Sequence, residues 1–473
     1  MGAETDKLYE VDQEFRDSIS TVDEDGRRVW VYPKKPTRGK YLKGREFVTY
    51  ILMAILFAVP FIKIDGHPFF LFNLFERKFI LFGVPFWPQD FYLLALGFIA
   101  FVVFIVLFTV SFGRIFCGWV CPQTIFMEMV FRRIEYWIEG DANKQKKLDK
   151  APWNSEKVYK KGLKHSIFLM ISFLISHMLM SYLIGIDRTL ELIRQPPSEH
   201  LSGFIALMVF TVIFYWVFSY FREQACIAVC PYGRLQGVFV VKETIAVMYD
   251  WVRGEKRGKV KKNQDRSDLG DCIDCNLCVH VCPTGIDIRN GTQLECVNCT
   301  ACMDACDYVM KKVDKPEGLI RYASYDSIEK GTQKIFTARK RAYTVVLTLI
   351  VGLLTFFLLT RSDVETTILR VPGKLYHKQE NGNISNLYNV QFVNKTFDDI
   401  DLEFRILDMP YARLKRVGDQ PLHVKANELL DVIYFIDIPP GEIKKMTTVV
   451  RLGVFENGKQ IQTLKTKFLG PAM

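Results

Sequence analysis

The pattern of apolar and polar positions divides the chain into five long apolar runs separated by charged stretches. The runs are residues 47–62, 91–112, 166–186, 201–221 and 342–360. A helix needs about 20 mostly apolar residues to cross a bilayer. The last four runs contain no charged residue, and the first is shorter and carries Pro60. Uncharged runs of this length are rare inside soluble proteins, so the pattern predicts five membrane-spanning helices. Beyond the fifth run the pattern changes. Residues 384–393, 400–407 and 429–438 are rich in β-branched and aromatic side chains. Asn457-Gly458 separates two further such runs, 447–455 and 460–468, which is a hairpin signal. Residues 361–473 therefore read as an all-β, immunoglobulin-like sandwich.

Charge orients the spans. Lys and Arg number ten up to Arg45, two in 65–89, eleven in 114–164, two between the third and fourth runs, and twenty in 222–341. Cytoplasmic loops collect Lys and Arg. The alternation predicts a bacterial inner-membrane protein with the N-terminus, the second loop and the 222–341 segment in the cytoplasm and the β domain in the periplasm. The sixteen Lys and Arg of that domain do not oppose this, because long domains translocate largely regardless of charge. The formal net charge of +10 has the same origin, and no nucleic-acid partner is expected. The polar residues up to Arg45 lack the apolar core of a cleavable signal. The expected domains are a tail (1–45), a membrane core of four spans (46–235), a cytoplasmic ferredoxin-like domain (236–341), the fifth span (342–360) and the β domain (361–473).

All twelve cysteines precede the fifth run, on the predicted reducing side, where short regular spacings read as metal ligands rather than disulfides. Eight form two identical C-x2-C-x2-C-x3-C runs. The first is Cys272, Cys275, Cys278 and Cys282, and the second is Cys296, Cys299, Cys302 and Cys306. This is the spacing of two-cluster bacterial ferredoxins, in which the fourth Cys of each run ligates the other cluster. Two 4Fe-4S clusters are expected, one on Cys272, Cys275, Cys278 and Cys306, the other on Cys296, Cys299, Cys302 and Cys282. Structural zinc would use two C-x2-C pairs and gives no reason for the third and fourth Cys. Pro283 follows the first run, whereas Asp307 follows the second. Seven acids and one base lie between Asp268 and Asp307, and a basic run precedes them from Arg253 to Arg266.

The other four cysteines form a repeat. Cys117-Gly118-Trp119-Val120-Cys121-Pro122 follows the second span, and Cys226-Ile227-Ala228-Val229-Cys230-Pro231 follows the fourth. If the helix runs on to the second Cys, both thiols of a pair share one face. Two pairs could then converge on a soft-metal site, suited to Cu(I), zinc or an iron–sulfur cluster. The alternative is that they are small buried hydrophobes. Arg114 and Arg222, just before the pairs, suit thiol activation or interface anchoring. His177 in the third span is a weak quinone or metal candidate.

The five spans, the two C-x3-C-P motifs, the two-cluster insert and the C-terminal β domain together resemble the cytochrome c oxidase accessory protein family called CcoG, FixG or RdxA. The resemblance covers nearly the whole chain. It implies an oxidoreductase that reduces Cu(II) to Cu(I) for assembly of a cbb3-type oxidase, with copper-delivery and oxidase-assembly proteins as partners and an unidentified electron donor. It makes Cys117, Cys121, Cys226 and Cys230 the candidate copper ligands and catalytic residues. A third cluster at those thiols and a homodimer stay open. Two other readings compete: a quinol-linked subunit of another respiratory enzyme, with a pocket near His177 or Trp216, and a non-catalytic scaffold or copper chaperone.

Overall fold

The computed structural model describes residues 21, 25, 27–74, 78–260, 268–334, 336–373, 375–418 and 421–471. Among the described residues, five helices are long and apolar enough to cross a membrane: Lys40–Phe61, Pro88–Phe112, Ser155–Ile184, Leu201–Phe221 and Ala338–Leu359. They leave large apolar side chains uncovered, among them Phe98, Phe101, Ile205, Val212 and Leu349, as helices facing lipid do.

Two helices differ most from the sequence expectation at their ends. The first begins at Lys40 rather than at residue 47, because its N-terminus is capped by a residue far along the chain. The third begins at Ser155, well before residue 166. The Asn154 side chain accepts a bond from the Lys157 amide at 2.8 Å, a regular N-cap. Its charged early turns stay helical because Lys161 and Lys164 lie against Glu139, 3.0 and 2.9 Å away. Hydropathy registers only the apolar remainder. The same helix ends at Ile184, short of 186, where Gly185 takes φ +85°.

The chain forms two compact units. In the first, residues 1–71 and 95–352, the spans pack on an aromatic core of Phe126, Phe131, Phe168, Ile175 and Phe218. Phe131 stacks on Phe218 with centroids 4.7 Å apart. This unit also carries the cysteine runs, supported by an antiparallel pair of strands, Ala246–Tyr249 and Ile320–Ala323, with Val247 opposite Tyr322.

The second unit, residues 72–94 and 353–473, contains an all-β domain of two sheets, consistent with the immunoglobulin-like expectation. One sheet runs Arg413–Arg416, Leu429–Ile438, Ile384–Asn394, Val364–Arg370, with His377–Lys378 beside Ile384–Asn394. The other runs His423–Val424, Ile400–Ile406, Thr447–Glu456, Lys459–Leu469. Strict alternation puts Ile400, Leu402 and Phe404 inside and Asp401, Glu403 and Arg405 outside. Asn457 and Gly458 take φ +49° and +76°, the tight hairpin turn their sequence predicts.

Candidate functional site

The two cysteine runs share one backbone trace. The second and fourth residues after the first Cys take positive φ in both: Asp274 and Asn276 at 51° and 56°, Asn298 and Thr300 at 52° and 64°. Asp and Asn tolerate this region, but a β-branched Thr there is an outlier that its surroundings must enforce. A short helix follows in each run, Leu277–His280 in the first and Ala301–Lys312 in the second.

The loops enclose two small cavities. Cys272, Cys275, Cys278 and Cys306 line one. Cys282, Cys296, Cys299 and Cys302 line the other, with Cys278 at its rim. Each cavity thus receives three thiols from one loop and a fourth from the other. Soft sulfur donors in a dry pocket fit an iron–sulfur cluster. The surroundings are apolar: Cys272 and Cys278 pack with Val247, Tyr249, Met303 and Met310. Burial pushes the free thiols of Cys278 and Cys296 up to about 12. Metal must displace those protons to bind.

Arg289, the lone base of the acidic stretch, is buried and pairs with Asp287 and Asp274 at 2.6 and 2.7 Å. Asp304, between Cys302 and Cys306, accepts the amides of Tyr41 and Leu42 at 3.1 and 2.7 Å. It caps the first span. The acidic residues named here are thus internal ties. Asp307, where a Pro was expected, accepts the Gly318 amide at 2.9 Å and lets the helix continue to Lys312. Of the basic run, Arg253 binds Asp271 at 2.5 Å and the carbonyl of Glu317 at 3.0 Å. Lys261, Lys262 and Arg266 lie outside the described residues.

The C-x3-C-P motifs depart from the expected helix. The helix Ile115–Trp119 stops before Cys121, and the π-helical turn Ala225–Val229 stops before Cys230. Cys121 and Cys230 are extended N-cap residues, with Pro122 and Pro231 first in the next helix. Pro presets φ for a helix start and lacks the amide that a helix interior requires. Each motif is therefore a helix break with one thiol on either side.

The four thiols act on one another electrostatically. Burial raises the Cys226 thiol to about 12, and the neighbouring Cys121, Cys117 and Cys230 add to the shift. Burial raises the Cys117 thiol to about 11; the Arg114 guanidinium lowers it, and Cys121 and Cys230 add to the rise. Among the described residues no three His, Cys, Asp or Glu side chains close on a single-ion site. The thiols are within electrostatic reach but not in a closed single-ion geometry. Arg222 pairs with Glu135 through two bonds of 2.8 and 3.2 Å and is neither a lipid anchor nor a thiol partner. In the spans, the His177 ring bonds the Phe173 carbonyl of its own helix at 2.8 Å, and Trp216 stacks on Phe221.

A close joint links the two cysteine regions. A Cβ on Gly118 would stand 2.4 Å from the Asn298 carbonyl oxygen and 2.7 Å from that of Val297. Only glycine lets the Cys117 loop approach the second run this closely. Arg45, which is buried, donates to the Gly118 carbonyl at 3.0 Å and to the Cys299 carbonyl at 2.8 Å. Cys117 and Cys226 pack against Val281, Val297 and Ala301. The Arg114 charge acts on both Cys117 and Cys296. Sequence reasoning missed Gly118 and Arg45. The one available signal was that the first motif has Gly where the second has Ile.

Comparison with known proteins agrees with this picture. Residues 221–325 match the family described as 4Fe-4S dicluster domain. Residues 94–144, whose only cysteines are Cys117 and Cys121, match a 4Fe-4S binding domain. Residues 354–471 match the IG-like fold at the C-terminus of FixG. The chain is 35% identical to Protein RdxB of Cereibacter sphaeroides, covering 85% of this chain and 88% of that one. It is 33% identical to Protein RdxA of the same organism, covering 79% and 81%. It is 29% identical to nitrogen fixation protein FixG of Rhizobium meliloti, covering 88% and 87%.

Proposed function

The chain belongs to the RdxA, RdxB and FixG family of membrane iron–sulfur electron-transfer proteins, and from that premise we propose that it reduces Cu(II) to Cu(I) for assembly of a cbb3-type haem–copper oxidase. Copper is the substrate. We assign one cluster to Cys272, Cys275, Cys278 and Cys306, the other to Cys296, Cys299, Cys302 and Cys282, and copper to Cys117, Cys121, Cys226 and Cys230. Bound clusters would supply electrons one at a time.

The observation that carries the reading is the joint at Gly118 and Arg45. It holds the copper-binding loop against the loop of Cys299, so the electron crosses a short distance through packed protein. Each Cu(II) takes one electron and becomes Cu(I). The thiols favour that product, because soft sulfur ligands prefer Cu(I). Arg114 offsets the negative charge that collects when Cys117 is a thiolate. The distribution of Lys and Arg supports a cytoplasmic redox domain and a periplasmic β domain.

The reading is tested by Cu(I) titration of the purified protein against a chromophoric chelator. Tight Cu(I) binding is expected, and it should be lost in Cys226→Ser/Cys230→Ser while the iron content stays unchanged. Equal binding by both proteins would remove the assignment. A second reading, a quinol donor, is favoured by a cavity of about 450 Å³ bounded by Gly113 at the end of the second span, Arg114 and Cys296. Taken alone, without copper as acceptor, it predicts that the four thiols are dispensable.

A further inference from the structure

A second cavity, of about 400 Å³, opens beside Cys299. Its walls are unlike those of the thiol sites. Lys34, Lys35 and Arg38 come from the segment before the first span, and Tyr136 and Trp137 from the helix Arg132–Ile138. Among the described residues none of these three cations is paired with a carboxylate. The two acids on the wall are already neutralised. Glu46 binds Arg133 at 2.6 Å, and Glu128 lies 3.3 Å from Arg132. The cavity thus carries uncompensated positive charge, and a ligand must supply the anion.

The aromatic wall narrows the ligand further. Trp137 is 77% exposed, a large ring left uncovered beside the cations. Tyr136 is fixed, its hydroxyl donating to the Pro33 and Lys34 carbonyls at 3.2 and 3.3 Å. That contact ties the cationic segment to the aromatic helix and preforms the cleft. Exposed aromatic faces beside cations suit a planar ring joined to a phosphate. The volume lies within the range of small-ligand pockets and is far too small for a folded partner.

We propose that this cleft binds a flavin mononucleotide, its phosphate on Lys34, Lys35 and Arg38 and its ring against Trp137, beside the Cys299 loop. Flavins release two electrons singly, which matches one-electron acceptors. The net reaction balances: FMNH− and two Cu(II) give FMN, two Cu(I) and one proton released to solvent. That use rests on the copper reading, but the binding does not.

The test therefore reads binding alone. Full-length protein is placed in nanodiscs of phosphatidylcholine, and the fluorescence of added FMN is followed. The expected result is saturable quenching, with riboflavin, which lacks the phosphate, at least tenfold weaker. Lys35→Glu/Arg38→Glu should weaken FMN at least tenfold with cluster absorbance unchanged. Trp137→Leu should relieve the quenching. Equal binding of FMN and riboflavin, or of neither, overturns the proposal. Loss of FMN binding when phosphatidylglycerol is added to the nanodisc also overturns it, because the cations then belong to a lipid phosphate.

Discussion

Arg45 shows how much one side chain does here. Its guanidinium is buried and holds the carbonyls of Gly118 and Cys299. A fixed positive charge beside a cluster favours the reduced, more negative form. In Arg45→Gln the potential of the cluster on Cys299 should fall by on the order of 60 mV, one tenfold change in a one-electron equilibrium. Arg45→Lys should restore part of the shift. An EPR-monitored redox titration reads both, and an unchanged potential would make Arg45 a structural tie only. The eight cluster candidates were legible as residues, because their spacing is itself the chemistry. Arg45 was not. In sequence it is one more base at the end of a basic tail, and its partners lie at 118 and 299.

At the scale of elements, the first span and the second cysteine run are a single construction. The helix starts at Lys40 because Asp304 caps it, and Gly39 makes room: a Cβ there would lie 2.1 Å from the Asp304 carboxylate. Gly39→Ala should force that cap apart. Losing a cap costs about 1 kcal/mol, and Asp304→Ala should show a similar loss. Thermal melts that follow cluster absorbance test this, and two undisturbed variants would contradict it. The sequence places the apolar middle of each span well, because hydropathy is local. It misplaces ends fixed by distant partners, as at Lys40, or by charged turns neutralised in the fold, as at Ser155. The C-x3-C-P motifs failed differently. The condition that the helix runs on to the second Cys is not met, because Pro122 and Pro231 each start a new helix. The strand Arg413–Arg416 escaped notice because three of its four residues are Arg or Lys and Leu414 alone is apolar.

At the scale of the whole molecule, buried charges have fixed partners, carbonyls at Arg45 and opposite charges at Asp90. In the second unit Asp90 is fully buried, with Lys395 at 2.6 Å and Arg361 at 2.8 Å. Lys395 also reaches Glu365 at 2.5 Å. These contacts join the start of the second span, the end of the fifth and the β domain. Removing one member of a buried pair leaves charge uncompensated and costs about 3–5 kcal/mol. Asp90→Asn should therefore make the β domain markedly more sensitive to protease, while iron content stays normal. Equal protease resistance would contradict this. In the other unit, the proposed route takes electrons from the clusters through the four thiols at the C-x3-C-P motifs. Its most direct test is stopped-flow reoxidation of the reduced, full-length protein by Cu(II), with Cys117, Cys121, Cys226 and Cys230 intact or all replaced by Ser. Rapid reoxidation with stoichiometric Cu(I) is expected only when the thiols are present. Equal rates in both proteins, at equal cluster content, would show that copper takes its electrons elsewhere, and the claim would fall.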